Sequence, residues 1–307
     1  MHIPDGFLPG GMAAVTGAAA AVVLGYSHTK TFPRVESERV VALGAVAALI
    51  FAAQMVNFAI THGTSGHFVG GAFAAILFGP FLASILMAVL LVVQMAVFQD
   101  GGLLALGANI FNMGIVGTFG GYLIYVLLKK LVAGRYGLLI GAFAAGWFAV
   151  VLAATSCALQ LGISGLSPVP DLLGSMLAVH VKIGVAEGIL SLLLIAVVLQ
   201  MQPDLLGDAQ AAGGGQRQLW WVFLLLALVV GIAGSPFSSR SPDGLERVAI
   251  DHGFIEKGAD AFFAAPVAEY RMPFVVNERA ATAVSGFLGV LVAFGSMAGV
   301  GVILCKR

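Results

Sequence analysis

The sequence predicts an all-α fold, a polytopic bundle of helices embedded in a membrane. Of the 307 residues, 60% are hydrophobic and 10% are charged, whereas soluble domains typically carry about 25% charged residues. The 41 glycines lie mostly inside apolar stretches, where they let neighbouring helices approach closely. Apolar stretches near the roughly 20 residues needed to cross a bilayer lie at about 8–26, 40–60, 68–79, 81–98, 104–128, 136–162, 172–201, 218–235 and 281–304.

The stretch 68–98 is too long for one ordinary span, and Phe78-Gly79-Pro80 interrupts it. The stretch could form one kinked helix or two short helices, and the two choices differ in the side of the membrane on which the later loops lie. Lys and Arg concentrate in cytoplasmic loops, so their positions distinguish the choices. Two helices put every basic short segment on one side, and the short loops opposite contain neither Lys nor Arg. We therefore expect nine helices, with the N-terminus outside and the C-terminus in the cytoplasm. The basic segments are 27–39, 129–135, 202–217 and the C-terminal tail.

The helices divide into two modules. Residues 1–201 contain seven of them, and residues 218–307 contain the last two, which flank an external loop at 236–280. Between the modules, 202–217 is polar and includes a run of three glycines, a composition typical of a flexible linker. We expect this linker to lie in the cytoplasm.

The external loop 236–280 carries most of the remaining charge and must therefore be solvated. Within it, we expect a short helix over 243–250 that Asp243 caps. On the last helix, Gly295-x-x-x-Gly299 predicts a face for contact with another helix.

The N-terminus combines three nitrogen donors within two residues. The chain opens MHIPDGFLPGG, without Lys or Arg before Lys30, unlike a secretory signal, so we expect Met1 to be retained with a free amine. That amine, the His2 amide nitrogen and the His2 Nδ1 can close two adjacent chelate rings on one metal ion. Pro4 keeps the segment extended. An ordinary frayed terminus is the alternative.

A polar external loop, Thr61-His62-Gly63-Thr64-Ser65-Gly66-His67, supplies two more imidazoles on the same side. Either His62 or His67 can close a fourth planar position, and spacing alone does not choose between them. Four nitrogens in a plane suit Ni(II) or Cu(II) better than the tetrahedral preference of Zn. We predict that Asn57 and Ser65 orient the imidazoles through hydrogen bonds. Polar capping of the loop is the alternative.

The seventh helix carries three ionisable residues, His180, Lys182 and Glu187. Such groups at membrane depth are paired or functional. Glu187 lies five residues beyond Lys182, a poor spacing for an ion pair on one helix. Partners on other elements are therefore expected, and the roles of the three stay open.

Several other chemistries lack support. The sequence has no phosphate-binding loop and no H-E-x-x-H helix, and its two cysteines are too few for a disulfide framework. Three or four metal-bound nitrogens in a plane leave little room for a substrate, which disfavours a membrane metalloenzyme. A channel needs several weak sites along a pore, whereas this sequence offers one dense nitrogen site. A metal sensor is a further, less favoured alternative. The sequence favours a protein that captures a metal ion.

Two motifs resemble a known transport family. The opening Met1-His2-Ile3-Pro4-Asp5-Gly6-Phe7-Leu8-Pro9 and the downstream Gly63-Thr64-Ser65-Gly66-His67 resemble the substrate-binding (S) component of energy-coupling-factor (ECF) nickel/cobalt transporters. The segment Ser241-Pro242-Asp243-Gly244-Leu245-Glu246-Arg247-Val248-Ala249 resembles the small accessory subunit of the same systems. The chain is therefore similar to a fusion of the two.

The resemblance implies a site, a substrate and partners. In that family the metal is held by the terminal amine, by the amide and imidazole of the second residue, and by a loop histidine. These ligands correspond here to Met1, His2 and His67. His62 lies outside the matching motif and becomes a minor candidate. The transported substrate is then Ni²⁺, or Co²⁺ for cobalamin synthesis, and the fusion and Pro4-Asp5 favour nickel. A transmembrane coupling (T) subunit and cytoplasmic ATPase subunits are the implied partners in a prokaryotic plasma membrane.

The second module is expected to act after capture. Its external loop contains no Cys, and His252 is its single histidine. It therefore offers no cluster of ligands of its own.

Overall fold

The computed structural model describes residues 1–32, 35–37, 39–61, 63–206 and 217–305. The helical architecture is confirmed, with one two-stranded hairpin of β1, Phe58–Ala59, and β2, Ser65–Gly66. The helices of the first module are α1 Gly10–Thr31, α2 Arg39–Met55, α3 Gly71–Phe78, α4 Pro80–Val93, α5 Leu106–Asn109, α6 Thr118–Leu131, α7 Gly134–Ile163 and α8 Val169–Met201. Those of the second module are α9 Arg217–Val229, α10 Gly244–Asp251 and α11 Glu278–Leu304.

Three π-helical segments lengthen or join these helices. They are Gln94–Phe98 after α4, Ile110–Gly117 between α5 and α6, and Val230–Gly234 after α9. Within the described ranges, seven continuous helical stretches are long and apolar enough to cross a membrane, and α2, with 17 residues, is slightly shorter. With α3, of 8 residues, these helices account for all nine predicted apolar stretches.

The predicted break at Gly79 is confirmed. Gly79 has φ 80° and ψ 158°, a conformation that glycine adopts without steric cost, and Pro80 begins α4 at the position where its missing N–H is not needed. With 8 residues, α3 rises only about 12 Å and is shorter than the predicted 68–79. The non-helical residues 67–70 before it, with Gly70 in a left-handed conformation at φ 82°, supply the rest of the path through the bundle.

The loops separate into two ends as the charge pattern predicts. At one end, Lys129 Nζ donates to the Leu206 carbonyl over 2.6 Å, and Val35 pairs with Cys305. At the other end lie the N-terminal segment, the β-hairpin and the external loop. The basic loops in the described ranges therefore gather away from Met1.

The second module packs on the first through small residues. Helices α9 and α11 both contact α2, and Gly44 of α2 accommodates the Phe294 ring. A Cβ on Gly286 would collide with the Gly231 carbonyl oxygen, so the two backbones touch there. No atom of the described residues lies within 4 Å of a Cβ built at Gly295 or Gly299, so contact of this face with another helix stays a prediction.

Candidate metal centre

The N-terminal segment is inserted into the mouth of the bundle. Met1, Ile3 and Phe7 are buried. The Ile3 N–H donates to Asn109 Oδ1 over 2.8 Å, and Asn109 Nδ2 donates back to the Ile3 carbonyl over 3.0 Å. Asn109 is the last residue of α5, where the π-helical segment begins. This reciprocal pair fixes the backbone directly after His2.

Asp5 anchors the other half of the segment. Its carboxylate accepts hydrogen bonds from three consecutive N–H groups directly before α5, with distances of 2.9, 2.8 and 3.2 Å. A Cβ at Gly102 would collide with Asp5, so glycine permits this close approach. The donors belong to Leu103, Leu104 and Ala105. The segment is therefore held at both Ile3 and Asp5.

His67 and the terminal amine face each other. His67 Nε2 lies 3.1 Å from the Met1 nitrogen, and His67 Nδ1 lies 3.0 Å from the Phe68 carbonyl oxygen. With Nδ1–H donating to that carbonyl, the lone pair of Nε2 points to the amine. Burial, together with the charge of the amine, lowers the pKa of His67 to about 3. The imidazole is therefore neutral, the form that binds metals.

His2 lies beside both partners. Its ring stacks on the His67 ring, with centroids 5.4 Å apart and an angle of 13°. His2 Nδ1 is 3.0 Å from Asp100 Oδ1, and His2 Nε2 is buried without a hydrogen-bond partner. Burial opposes ionisation of Asp100, but its contacts with His2 hold its pKa below the ordinary range.

The π-helical segment Gln94–Phe98 and the positive φ of 60° at Gln99 turn the chain so that Asp100 faces His2. Such π-helical turns are frequent at functional sites.

Asp243 links the second module to the terminal amine. Its Oδ2 lies 2.6 Å from the Met1 nitrogen, and its Oδ1 accepts from the N–H groups of Leu245 and Glu246 over 2.8 Å each. Glu246 Oε2 accepts from the Asp243 N–H in return, which completes a capping box. The predicted cap of this short helix is confirmed. Burial would lower the pKa of the Met1 amine, but the Asp243 charge raises it overall.

The external loop touches the N-terminal segment at further points. The Ala259 N–H donates to the Asp5 carbonyl over 2.8 Å, and a Cβ on Gly6 would collide with the Lys257 carbonyl. The rings of Phe7 and Phe254 meet edge to face at 5.2 Å. These contacts seat the segment that carries His2 between the two modules.

Tyr270, a residue of the external loop, contacts Asp100. Its hydroxyl donates to Asp100 Oδ2 over 2.5 Å, and its ring stacks on Phe98 at 4.8 Å. Asp100 is therefore held between His2 and a residue of the external loop.

Asn57 and Ser65 contact the external loop as well. Ser65 Oγ donates to the Ser241 carbonyl over 2.7 Å, and the Ser65 N–H donates to the Pro242 carbonyl over 2.9 Å. The Asn57 N–H donates to Ser238 Oγ over 2.8 Å. These bonds join the two modules, and orientation of an imidazole by either residue stays a prediction. His62 lies outside the described residues.

The three ionisable residues of α8 have different surroundings. Glu187 is buried and accepts from the Val69 and Gly70 N–H groups over 2.6 and 2.8 Å, which fixes the chain directly after His67. Lys182 Nζ donates to Thr61 Oγ1 over 2.9 Å. His180 Nδ1 bonds to the carbonyl of Met176, four residues back, over 2.8 Å. The expected partners for Lys182 and Glu187 on other elements are therefore present.

Replacing Glu187 by Ala is expected to lower the stability of the protein and the affinity of the site together. The Val69 and Gly70 N–H groups would lose their acceptor, and a buried unsatisfied group costs about 1–3 kcal/mol. Thermal unfolding in detergent and a metal titration measure the two effects. Lys182→Ala, on the same helix but at an exposed hydrogen bond, is the control and should change neither much. Equal effects of the two variants would contradict the role assigned to Glu187.

The arrangement suits a planar nitrogen chelate. Metal–nitrogen bonds of about 2.0 Å place adjacent donors of a square plane about 2.8 Å apart, close to the 3.1 Å between the Met1 nitrogen and His67 Nε2. In the described ranges, no cluster of three or more His, Cys, Asp or Glu side chains is arranged for a metal.

Comparison with known families agrees with both modules. Residues 2–205 match the model of the family described as cobalt uptake substrate-specific transmembrane region, CbiM. The chain belongs to the CbiM family. Residues 217–306 match the PDGLE domain, so the chain joins a CbiM region to a PDGLE domain.

Relatives carry names for both nickel and cobalt transport. A putative fused nickel transport protein NikMN of Archaeoglobus fulgidus is 34% identical over 298 residues, covering 95% of each chain. A cobalt transport protein CbiM of Geobacter sulfurreducens is 31% identical over 275 residues, covering 82% of this chain and 79% of the relative. The crystal structure of a truncated transition metal transporter matches 65% of this chain and 99% of its own, at 30% identity and a TM-score of 0.60. CbiM family membership makes this chain a membrane component of metal transport rather than an enzyme.

Proposed function

We propose that this chain captures Ni²⁺ outside the cell with its own N-terminus and presents it for ATP-driven uptake by an ECF transporter. The donors are the Met1 amine, the His2 amide nitrogen and Nδ1, and His67 Nε2. The observation that carries the proposal is the buried pair of Met1 and His67 at a distance suited to adjacent ligands of one ion. The N-terminus lies outside the plasma membrane and the C-terminus inside.

Loading this chelate exchanges partners at two donors. The amine gives up its contact with Asp243, and His2 Nδ1 gives up its contact with Asp100. Both carboxylates then remain beside the cation, but neither is one of its four ligands in the plane. A divalent ion enters while the amine and the amide each lose one proton, so the total charge of the buried site stays the same. The carboxylates balance the ammonium before loading and the metal afterwards.

Nickel is favoured over cobalt by the planar donor set and by the fused relatives. Four nitrogens in a plane suit Ni(II), and the NikMN protein of Archaeoglobus fulgidus and a probable fused LarMN of Lactiplantibacillus plantarum are both named for nickel. Co²⁺ uptake is the second candidate, because the CbiM protein of Geobacter sulfurreducens is named for cobalt. Competition between the two ions for one chain distinguishes the candidates.

Energy and passage across the membrane are assigned to other subunits. The sequence has no phosphate-binding loop, so a T subunit and cytoplasmic ATPase subunits complete the transporter. We assign metal binding to residues 1–201, a cytoplasmic linker to 202–217 and the accessory module to 218–307. Uptake by cells that lack other nickel transporters, with and without the two kinds of subunit, tests this division.

The contacts of Asp243 and Tyr270 modify the role expected for the second module. The external loop holds no ligand cluster, yet it bonds to the Met1 amine and to Asp100. We assign it the task of seating the N-terminal segment, in addition to any later step. A chain truncated after Gln202 is then expected to bind Ni²⁺ more weakly than the full chain.

Ni²⁺ binding is expected to release about two protons per ion near neutral pH, because ligands must lose their protons when they bind a metal. One comes from the amine, whose pKa Asp243 raises, and one from the His2 amide, while the neutral His67 imidazole releases none. A titration in weak buffer with a pH indicator measures the number. A site of imidazoles and carboxylates alone would release about none, and that result would contradict the chelate.

A further inference from the structure

A polar cavity of about 340 Å³ lies between the external loop and the first module. Its lining includes His2 and His67 together with Asp100 and Asp243. Six waters at about 30 Å³ each occupy roughly 180 Å³, so the cavity has room for a hydrated divalent cation. The cavity therefore reaches two of the proposed ligands from the solvent side.

Exposure falls along the cavity toward these ligands. At its rim, the side chains of Arg240 and Glu278 are 78% and 56% exposed. Asp243 and Asp100, further in, are 19% and 27% exposed, and the His2 side chain is 7% exposed. The gradient runs from an open rim to the buried imidazole, whose Nε2 has no hydrogen-bond partner.

The opposite side of the site holds much less space. Beyond Met1 and His67 lies a void of about 10 Å³ walled by Val150 and Ile183, large enough for about one water. Its walls also include Gly66 of the hairpin and Asp243 and Gly244 at the start of α10. The cavity of about 340 Å³ is thus the much wider of these two spaces beside the ligands.

The charges of the cavity favour a cation at its inner end. Five carboxylates and three guanidinium groups line it. One of these guanidinium groups, Arg240, is neutralised by Glu278 at the rim, and a second, Arg279, lies over the Phe237 ring, 5.6 Å from its centroid. Asp100 and Asp243 are the carboxylates nearest the ligands, 3.0 Å from His2 Nδ1 and 2.6 Å from the Met1 nitrogen.

We infer that this cavity is the entry path by which the hydrated divalent cation reaches His2 and His67, with the external loop forming its outer wall. The inference rests on the proposed function, because it takes these two residues as ligands. It assigns the second module a further part, since the loop that seats the N-terminal segment also bounds the path.

A chemical block at the cavity wall tests the path in the full-length chain. Ser239 lines the cavity, and Ser239→Cys is introduced together with Cys305→Ser, which leaves only the buried Cys157 besides the new thiol. The thiol is modified with a small methyl thiosulfonate or with a bulky benzyl thiosulfonate. The association rate of Ni²⁺ is then measured by stopped-flow absorbance. Ala261→Cys, at a separate cavity of about 140 Å³, is the matched control.

The bulky adduct at position 239 is expected to slow Ni²⁺ association by about tenfold or more, and the small adduct much less. Neither adduct at position 261 should change the rate, and removal of the bulky adduct with dithiothreitol should restore it. An unchanged rate with the bulky adduct at 239, or slowing independent of adduct size, would overturn the path. The unsubstituted chain reports on the proposed function separately, since its failure to bind Ni²⁺ would overturn the site itself.

Discussion

A chain lengthened by one residue ahead of Met1 is expected to lose high-affinity Ni²⁺ binding while it still inserts into the membrane. The extension turns the Met1 amine into an amide and moves the new amine away from His2, so the two adjacent chelate rings cannot form. The amine is buried against His67 and Asp243, so the extra residue has no room in the unloaded site either. Calorimetric titration of the purified chain, with its N-terminus verified by intact mass, measures the loss.

The same residue added at the C-terminus is the control, because the described C-terminal end at Cys305 lies at the opposite end of the bundle, beside Val35. That chain should bind Ni²⁺ as the parent does. Equal stoichiometry and affinity in the N-terminally lengthened chain would exclude the Met1 amine as a ligand.

Replacing His67 by Ala is expected to weaken Ni²⁺ binding on the order of 100-fold or more. Loss of residues that merely support ligands costs 10–100-fold in affinity, and His67 is itself a proposed ligand. A three-nitrogen chelate open to water would remain, so the visible absorption band of the bound ion should also shift. Titration and absorption spectroscopy measure the two effects.

His62→Ala is the comparison within the same loop, and it should change both quantities much less. His28→Ala, on the C-terminal turn of α1, controls for the loss of any imidazole. A larger effect from His62 than from His67 would reverse the assignment of the fourth donor, even if the N-terminal chelate survived.

Much of the fold followed from local patterns. The break at Gly79 and the cap of α10 by Asp243 each depend on a few neighbouring residues, and both are confirmed. The length of α3 could not be read in the same way. Its apolar stretch continues before Gly71, but the chain there is not helical, because Glu187 holds the Val69 and Gly70 N–H groups.

The surroundings of the proposed ligands were harder to predict. Asp243 pairs with Met1 across 242 positions of the chain, and Asp100 pairs with His2, so no spacing rule brings them together. Asp5 stood inside the opening motif, but the three N–H groups that it binds belong to residues about 100 positions further on. Such contacts depend on how the modules pack.

Helix contacts show the same limit. The G-x-x-x-G pattern pointed to Gly295 and Gly299, whereas the close approach occurs at Gly286 against Gly231. In a chain with 41 glycines, a pattern of two small residues does not specify which face meets a neighbour. The choice depends on the rotation of α11 against α2 and the end of α9.

X-ray absorption of the Ni²⁺-loaded, untagged chain tests the central claim most directly, because it reports the number, kind and distance of the atoms around the metal. The account predicts four nitrogen donors in a square plane at about 2 Å and a diamagnetic Ni(II) ion. A six-coordinate, paramagnetic ion surrounded mainly by oxygen donors would contradict it.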